Sequence, residues 1–174
     1  MNNSYQEYIN FANTLADVAG ITSMEYFRTS LDINNKSDES PVTIADKNTE
    51  LKIRSMIEKE YPDHGILGEE FDSINPDAEF IWVIDPIDGT RSYIAGHKDF
   101  GNLISLTQNK KPIIGIINCP AHDERWVGAK NQHSTINQQP AKTSNVTKIE
   151  DAYLFTSGLY FDEPHLRKSV DKIT

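Results

Sequence analysis

The sequence predicts an α+β protein in which a helix pair packs on a mostly antiparallel sheet. Three observations predict it. Two segments with helical apolar spacing come first, short apolar segments of strand length follow them, and a chain of 174 residues is long enough to bury a core without covalent staples. The longest apolar runs, Phe80–Ile84 and Ile113–Ile117, are far too short to cross a bilayer.

The first helix is expected over residues 4–29, where Tyr8, Phe11, Ala12, Leu15, Val18 and Ala19 form one apolar stripe. Residues 31–41 read as a polar loop, too hydrophilic to pack and long enough to move. A second helix runs from about Ala45 to Tyr61, with Ile53, Met56, Ile57 and Tyr61 on its buried stripe, Leu51 off it and Pro62 after the stop. A short strand at Gly65-Ile66-Leu67 leads into Gly68-Glu69-Glu70. The run Phe80–Ile84 lacks polar alternation and is expected to be a strand buried on both faces. Asn102–Gln108 and Pro112–Asn118 form a hairpin across Asn109-Lys110-Lys111. Arg125–Ala129, Ser134–Asn137 and Ala152–Thr156 are further short strands, and residues 163–174 begin a helix. The expected domains are an α+β unit over 1–150 and the start of a second unit over 151–174.

Net charge is −9, which argues against non-specific binding to nucleic acid or a membrane surface and favours cations. The one cysteine, Cys119, has no partner for an internal disulfide. The start of the chain shows no signal-peptide pattern, so a cytoplasmic location is the expectation. The five histidines have no metal-ligand spacing and read as surface or polar-contact residues.

The chemistry concentrates in Asp85-Pro86-Ile87-Asp88-Gly89-Thr90, at the end of the apolar strand. Pro86 stiffens the turn. Asp85, Asp88 and the Ile87 carbonyl then offer an all-oxygen set that suits a hard divalent cation such as Mg²⁺. Asp-Pro and Asp-Gly are also ordinary turn dipeptides, and Asp88 or Thr90 serves equally as a helix cap. Glu69-Glu70 ends a neighbouring strand, and adjacent carboxylates repel unless a cation neutralises them. The helical segment after Gly89 presents N–H groups suited to an anion.

The segment Trp82 to Tyr93 resembles the signature of the inositol monophosphatase family of Mg²⁺-dependent, lithium-sensitive phosphatases. Lys36, Ser40–Asp46, Gly68-Glu69-Glu70, Phe100–Leu106 and Glu124–Ala129 match the same family in order and spacing, from about residue 5 to residue 161. Ala95 departs from it, at a position where the family often has a polar residue. The resemblance implies a layered αβαβα sugar-phosphatase fold, of which this chain resembles the N-terminal two-thirds. The family's later Trp-Asp-x-Ala-Ala-type motif, whose aspartate completes a second metal site, has no counterpart here.

The resemblance also assigns roles. Glu69, Asp85 and the Ile87 carbonyl bind one Mg²⁺, Asp85 and Asp88 a second, and Glu69 touches a weaker third. The Gly89 and Thr90 amides hold the phosphate. Asp46 and Thr90 orient and help deprotonate the attacking water. Glu70 is a supporting carboxylate, and Lys36 sits in a loop near the site or is a solvated surface lysine. The implied reaction is hydrolysis of a small-molecule phosphate monoester by a homodimer. Ser40–Thr43, Phe100–Ile104 and Glu124–Gly128 look most like histidinol-phosphatase-type members. Inositol monophosphate is the second expected substrate and a nucleotide 3′-phosphate the third. The reading of another class is a catalytically inactive metal-binding or dimerisation module.

Overall fold

The computed structural model describes residues 5–29, 33–35 and 41–153. The chain divides into two compact units, Met1–Lys142 and Thr143–Thr174. The first unit holds a helix pair, α1 (Gln6–Tyr26) and α2 (Ile44–Glu60), against a seven-stranded sheet, as the sequence predicts.

The α1 helix is shorter than expected because Phe27 turns extended and Arg28 takes a left-handed conformation at φ 60°. The Arg28 guanidinium donates twice to the Gly96 carbonyl, which holds that turn in place. Its fully buried face is Ala12, Leu15, Ala16, Ala19 and Ser23. Tyr8, Phe11 and Val18 are only half-buried at the edges of the expected stripe. Small residues face the sheet because the approach is close: a Cβ on Gly20 would stand 2.8 Å from Asn118 Nδ2.

Thr43 caps α2, its hydroxyl accepting from the amides of Ala45 and Asp46 while the Asp46 carboxylate accepts in return from the Thr43 amide. Ile53 and Ile57 are fully buried, and Leu51 faces outward as its position off the stripe predicts. The segment 31–41 is not simply a loop. β1 (Ile33–Asn35) and β2 (Pro41–Thr43) pair antiparallel, because backbone pairing needs no apolar side chains.

The large sheet has the order β3-β4-β5-β6-β7-β8-β9, with β3 (Gly65–Leu67), β4 (Phe80–Asp88), β5 (Gly101–Gln108), β6 (Lys111–Cys119), β7 (Glu124–Ala129), β8 (Thr135–Ile136) and β9 (Gln139–Pro140). Only β3 against β4 is parallel. β4 departs from its expectation in two ways. It continues to Asp88, and its faces differ, Trp82 and Ile84 being buried while Ile81 and Val83 are half-covered by the described residues. The β5–β6 connection is a two-residue turn. Asn109 and Lys110 both have positive φ, 50° and 62°, as a twisted hairpin demands. The β8–β9 turn at Asn137-Gln138 repeats this, at 45° and 67°, and β9 had no signal in the sequence.

The core joins α1, α2 and the sheet through Leu15, Ile53, Ile57, Trp82, Ile104, Leu106 and Ile116. At one end Tyr8, Phe11, Tyr61, His64, Phe80 and Trp82 form an aromatic cluster. His64 stacks between Tyr61 and Phe80, and its Nδ1 accepts from Trp82 Nε1 at 3.1 Å. It makes a polar contact, as expected of the histidines. In the second unit, Ile149–Asp151 makes one 3₁₀ turn, and Ala152 and Tyr153 are irregular rather than the start of a strand. Lys36, residues 154–156 and the expected helix over 163–174 lie outside the described residues. Among the described residues no helix is long and apolar enough to cross a membrane.

Candidate functional site

The turn at the end of β4 is built by a bulge. Asp85 pairs with Leu103 and Asp88 with Gly101, so three steps on β4 oppose two on β5. Pro86 fits there because a bulged residue owes the ladder no N–H. Its carbonyl is claimed from the side by Asn102 Nδ2 at 2.7 Å. The Ile87 side chain plugs a small core with Ala45, Tyr93 and Phe100. That anchor holds the turn with Asp85 half-buried and Asp88 exposed. Gly89 follows at φ 83°, and a Cβ there would meet the Asp99 carbonyl at 2.8 Å, so both conformation and space demand glycine. The short helix α3 (Thr90–Ile94) then begins, with the Gly89 and Thr90 amides at its N-terminal end.

Parallel pairing brings the second carboxylate pair to this turn. β3 and β4 align Leu67 with Val83. Two residues further along each chain stand Glu69 and Asp85, which share a hydrogen bond. The sixteen-residue separation in sequence disappears in the register.

Asp46 approaches from α2. It is 1% exposed. Its Oδ2 accepts from the amide and hydroxyl of Thr43, which leaves Oδ1 turned to Thr90, 3.5 Å from the Thr90 hydroxyl. That hydroxyl also lies 3.0 Å from the Ile87 carbonyl, and its single proton serves one acceptor at a time. Burial pushes the Asp46 carboxyl up, the Thr43 hydrogen bonds pull it partly back, and the charge of Glu69 adds to the rise.

Asp85 is the most perturbed group of the site. Burial first, then the hydrogen bond and charge of Glu69 and the charge of Asp88, raise it to about 8. Its Oδ1 is buried with no hydrogen-bond partner. An orphaned carboxylate oxygen among like charges is what a bound cation relieves. Among the described residues, no three His, Cys, Asp or Glu side chains stand close enough together to hold a metal ion by themselves. The donors at this turn are all oxygen, which suits a hard cation that completes its shell with water, such as Mg²⁺.

Asp46, Glu69, Asp85, Ile87, Asp88, Gly89 and Thr90 thus converge on the ends of β3 and β4 and the starts of α2 and α3. Glu70 lies beside them with its amide bonded to Glu50 Oε2. Lys36 is outside the described residues.

Sequence reasoning missed the supports. Glu50 and Arg54, buried on α2, hold the turn that carries Glu69. Asn102 holds the Pro86 carbonyl. Its own Oδ1 accepts from Asn118, whose Oδ1 accepts from Arg125, and Arg125 is paired with Asp17 at 2.7 Å. The available signal was polar residues at core positions: Glu50 and Arg54 share the face of Ile53 and Ile57, and Asn102 and Asn118 stand next to the apolar stretches Leu103-Ile104 and Ile116-Ile117.

The sequence model of the inositol monophosphatase family matches residues 4–172. The chloroplastic bifunctional phosphatase IMPL2 of Arabidopsis thaliana is 39% identical over 92% of this chain and 47% of its own length. A histidinol-phosphatase of Chlorobaculum parvum is 36% identical over 95% of this chain and 64% of its own. A solved inositol monophosphatase from Zymomonas mobilis superposes with a TM-score of 0.71 at 44% identity, over 82% of this chain and 55% of that one. The chain therefore spans about half to just under two thirds of the length of these relatives.

Proposed function

The chain belongs to the inositol monophosphatase family, and from that premise we propose that the protein is a Mg²⁺-dependent phosphomonoesterase acting on a small phosphate ester. The observation that carries the reading is the meeting of Glu69 with Asp85 just past the last β3–β4 pair, the orphaned Oδ1 of Asp85 lying at the same turn as the Asp46–Thr90 pair.

Glu69, Asp85, Asp88 and the Ile87 carbonyl would hold the metal. Bound there, Mg²⁺ supplies Lewis-acid stabilisation of phosphoryl oxygens and lowers the pKa of water. The chain's own groups do the rest. Asp46, made more basic by burial while its Thr43 hydrogen bonds favour the ionised form, accepts a proton through the Thr90 hydroxyl or from a water beside it. The Gly89 and Thr90 amides orient the phosphate at the start of α3. Glu70 supports the carboxylate turn. A homodimer is the assembly we propose.

Histidinol phosphate is the first proposed substrate. Relatives from Chlorobaculum parvum, Mycobacterium tuberculosis and Streptomyces coelicolor bearing the name histidinol-phosphatase match 86% to 95% of this chain. Inositol monophosphate is the second, favoured by the Zymomonas mobilis structure. Phosphate release from histidinol phosphate, inositol monophosphate and a nucleotide 3′-phosphate, with Mg²⁺ and then with excess chelator, tests the reading. Turnover that persists in chelator refutes the metal-dependent chemistry, and the ranking of the three esters assigns the substrate.

A further inference from the structure

The turn carrying Glu69 and Glu70 is gripped from beneath by an ion pair on α2. Glu50 is completely buried, and its Oε1 accepts from Arg54 Nε at 2.7 Å, one helical turn along. Its Oε2 accepts from two consecutive backbone amides, Glu69 at 3.0 Å and Glu70 at 2.8 Å. Arg54 completes the grip by donating from Nη2 to the Phe71 carbonyl at 2.9 Å, with its guanidinium 5.8 Å from the centre of the Phe71 ring. Three successive residues, 69 to 71, are thus bonded through their backbones to one buried pair.

We propose that Glu50 is a positioning residue for Glu69, fixing the backbone from which Glu69 reaches the metal. This rests on the metal-dependent reading above. A salt bridge that served only the stability of α2 would need only its i,i+4 partner. Here half of the carboxylate is committed to the residues that carry the site carboxylates. Gly68 shows the cost of that arrangement. A Cβ at position 68 would come within 1.8 Å of Glu50 Oε1, 2.4 Å of its Cδ and 2.8 Å of Arg54 Nη2. No other residue leaves room for the carboxylate to reach the two amides. The glycine of Gly68-Glu69-Glu70 is therefore required by Glu50 rather than by a left-handed backbone. Supports of this kind matter because a ligand displaced by about an ångström binds its ion poorly, and losing one typically weakens metal affinity about 10- to 100-fold.

The test uses Mn²⁺ as the probe, its free fraction read by electron paramagnetic resonance, and exchange of the Glu69 and Glu70 amides read by NMR. Wild type should bind Mn²⁺ and protect both amides. Glu50→Gln, and the paired Glu50→Gln/Arg54→Met that removes both buried charges and keeps the fold, should weaken Mn²⁺ binding about 10- to 100-fold and speed exchange at both amides. Leu51→Ala, on the exposed side of α2, should change neither. Wild-type Glu69 and Glu70 amides that exchange as fast as an unstructured peptide overturn the proposal without any variant. Folded variants with wild-type Mn²⁺ affinity overturn it too, while leaving the metal reading intact. A wild-type chain with protected amides and no Mn²⁺ binding overturns the metal reading instead, and the positioning role with it.

Discussion

Asp85→Asn should stabilise the metal-free protein. The Asp85 carboxyl stands at about 8 in the folded state against 3.8 for an ordinary aspartate, first through burial and then through Glu69 and Asp88. The folded chain thus retains a proton that the unfolded chain releases at about pH 4. A raised carboxyl contributes its full stability below its unfolded pKa and loses it as pH rises through the folded one. The penalty is absent at about pH 4, grows up to pH 8 and is constant beyond. At pH 7, about 3 pH units above the unfolded value, the part of the penalty already expressed corresponds to about 4 kcal/mol, and because Asp85 is only half-buried, solvent screening reduces this to about 2 kcal/mol. Asparagine donates to Glu69 as the protonated acid does, and never ionises. Thermal melts in chelator should place the variant about 4–8 °C above wild type at pH 7, and level with it at about pH 4. Millimolar Mg²⁺ or Mn²⁺ should shift the ranking toward wild type, since the ion binds the carboxylate and not the amide. A variant less stable than wild type at pH 7 without metal, or a gain independent of pH, would refute the reasoning.

Asp88→Asn should lower turnover by orders of magnitude with little change in melting temperature, because Asp88 is exposed and bears on the fold only through its charge; near-normal turnover removes it from the metal site. Thr90→Ala should also cost turnover while leaving Mn²⁺ affinity close to wild type, and equal losses in both count against the Asp46–Thr90 pair as the proton acceptor. Asn102→Ala should destabilise the chain by about 1–3 kcal/mol, since it strands the buried Pro86 carbonyl, and chemical denaturation measures this directly. Burial lowers the pKa of His64, so the stability contributed by its neutral ring, which accepts from Trp82, is full above pH 6.5 and is lost as pH falls from there through the lower folded pKa. His64→Asn keeps an acceptor and cannot charge, so the wild-type-minus-variant stability should fall between pH 7.5 and 5.5; a flat difference excludes His64 as the titrating group.

Much of the molecule was legible because its signals are local. Ile53, Ile57 and Pro62 mark α2 without reference to any other segment, and the hairpin of β5 and β6 follows from two apolar runs and a short polar turn. Asp85-Pro86-Ile87-Asp88-Gly89-Thr90 declared a stiff oxygen-rich turn for the same reason. The misses are equally physical. The β1–β2 ribbon pairs through its backbone, and its two three-residue strands, with one isoleucine and one valine between them, are too short to show a strand pattern in the sequence. β4 looked buried on both faces because isoleucine and valine suit a half-covered face as well as a buried one. Glu50, Arg54, Asn102 and Asn118 read as surface residues by type, and only their partners explain why they are inside.

The sequence by itself determined the helix pair, the strand succession, the stiff turn and the residue types of the candidate site, since each depends on neighbours within a few positions. Tertiary structure decided which of those residues meet. The parallel register of β3 on β4 sets Glu69 against Asp85, the capping box turns Asp46 toward Thr90, and the buried Glu50–Arg54 pair fixes the turn between them. Convergence of that kind depends on register and burial across distant segments. No local pattern encodes either, because the free energy that selects them arises only when the whole sheet and both helices close on one core.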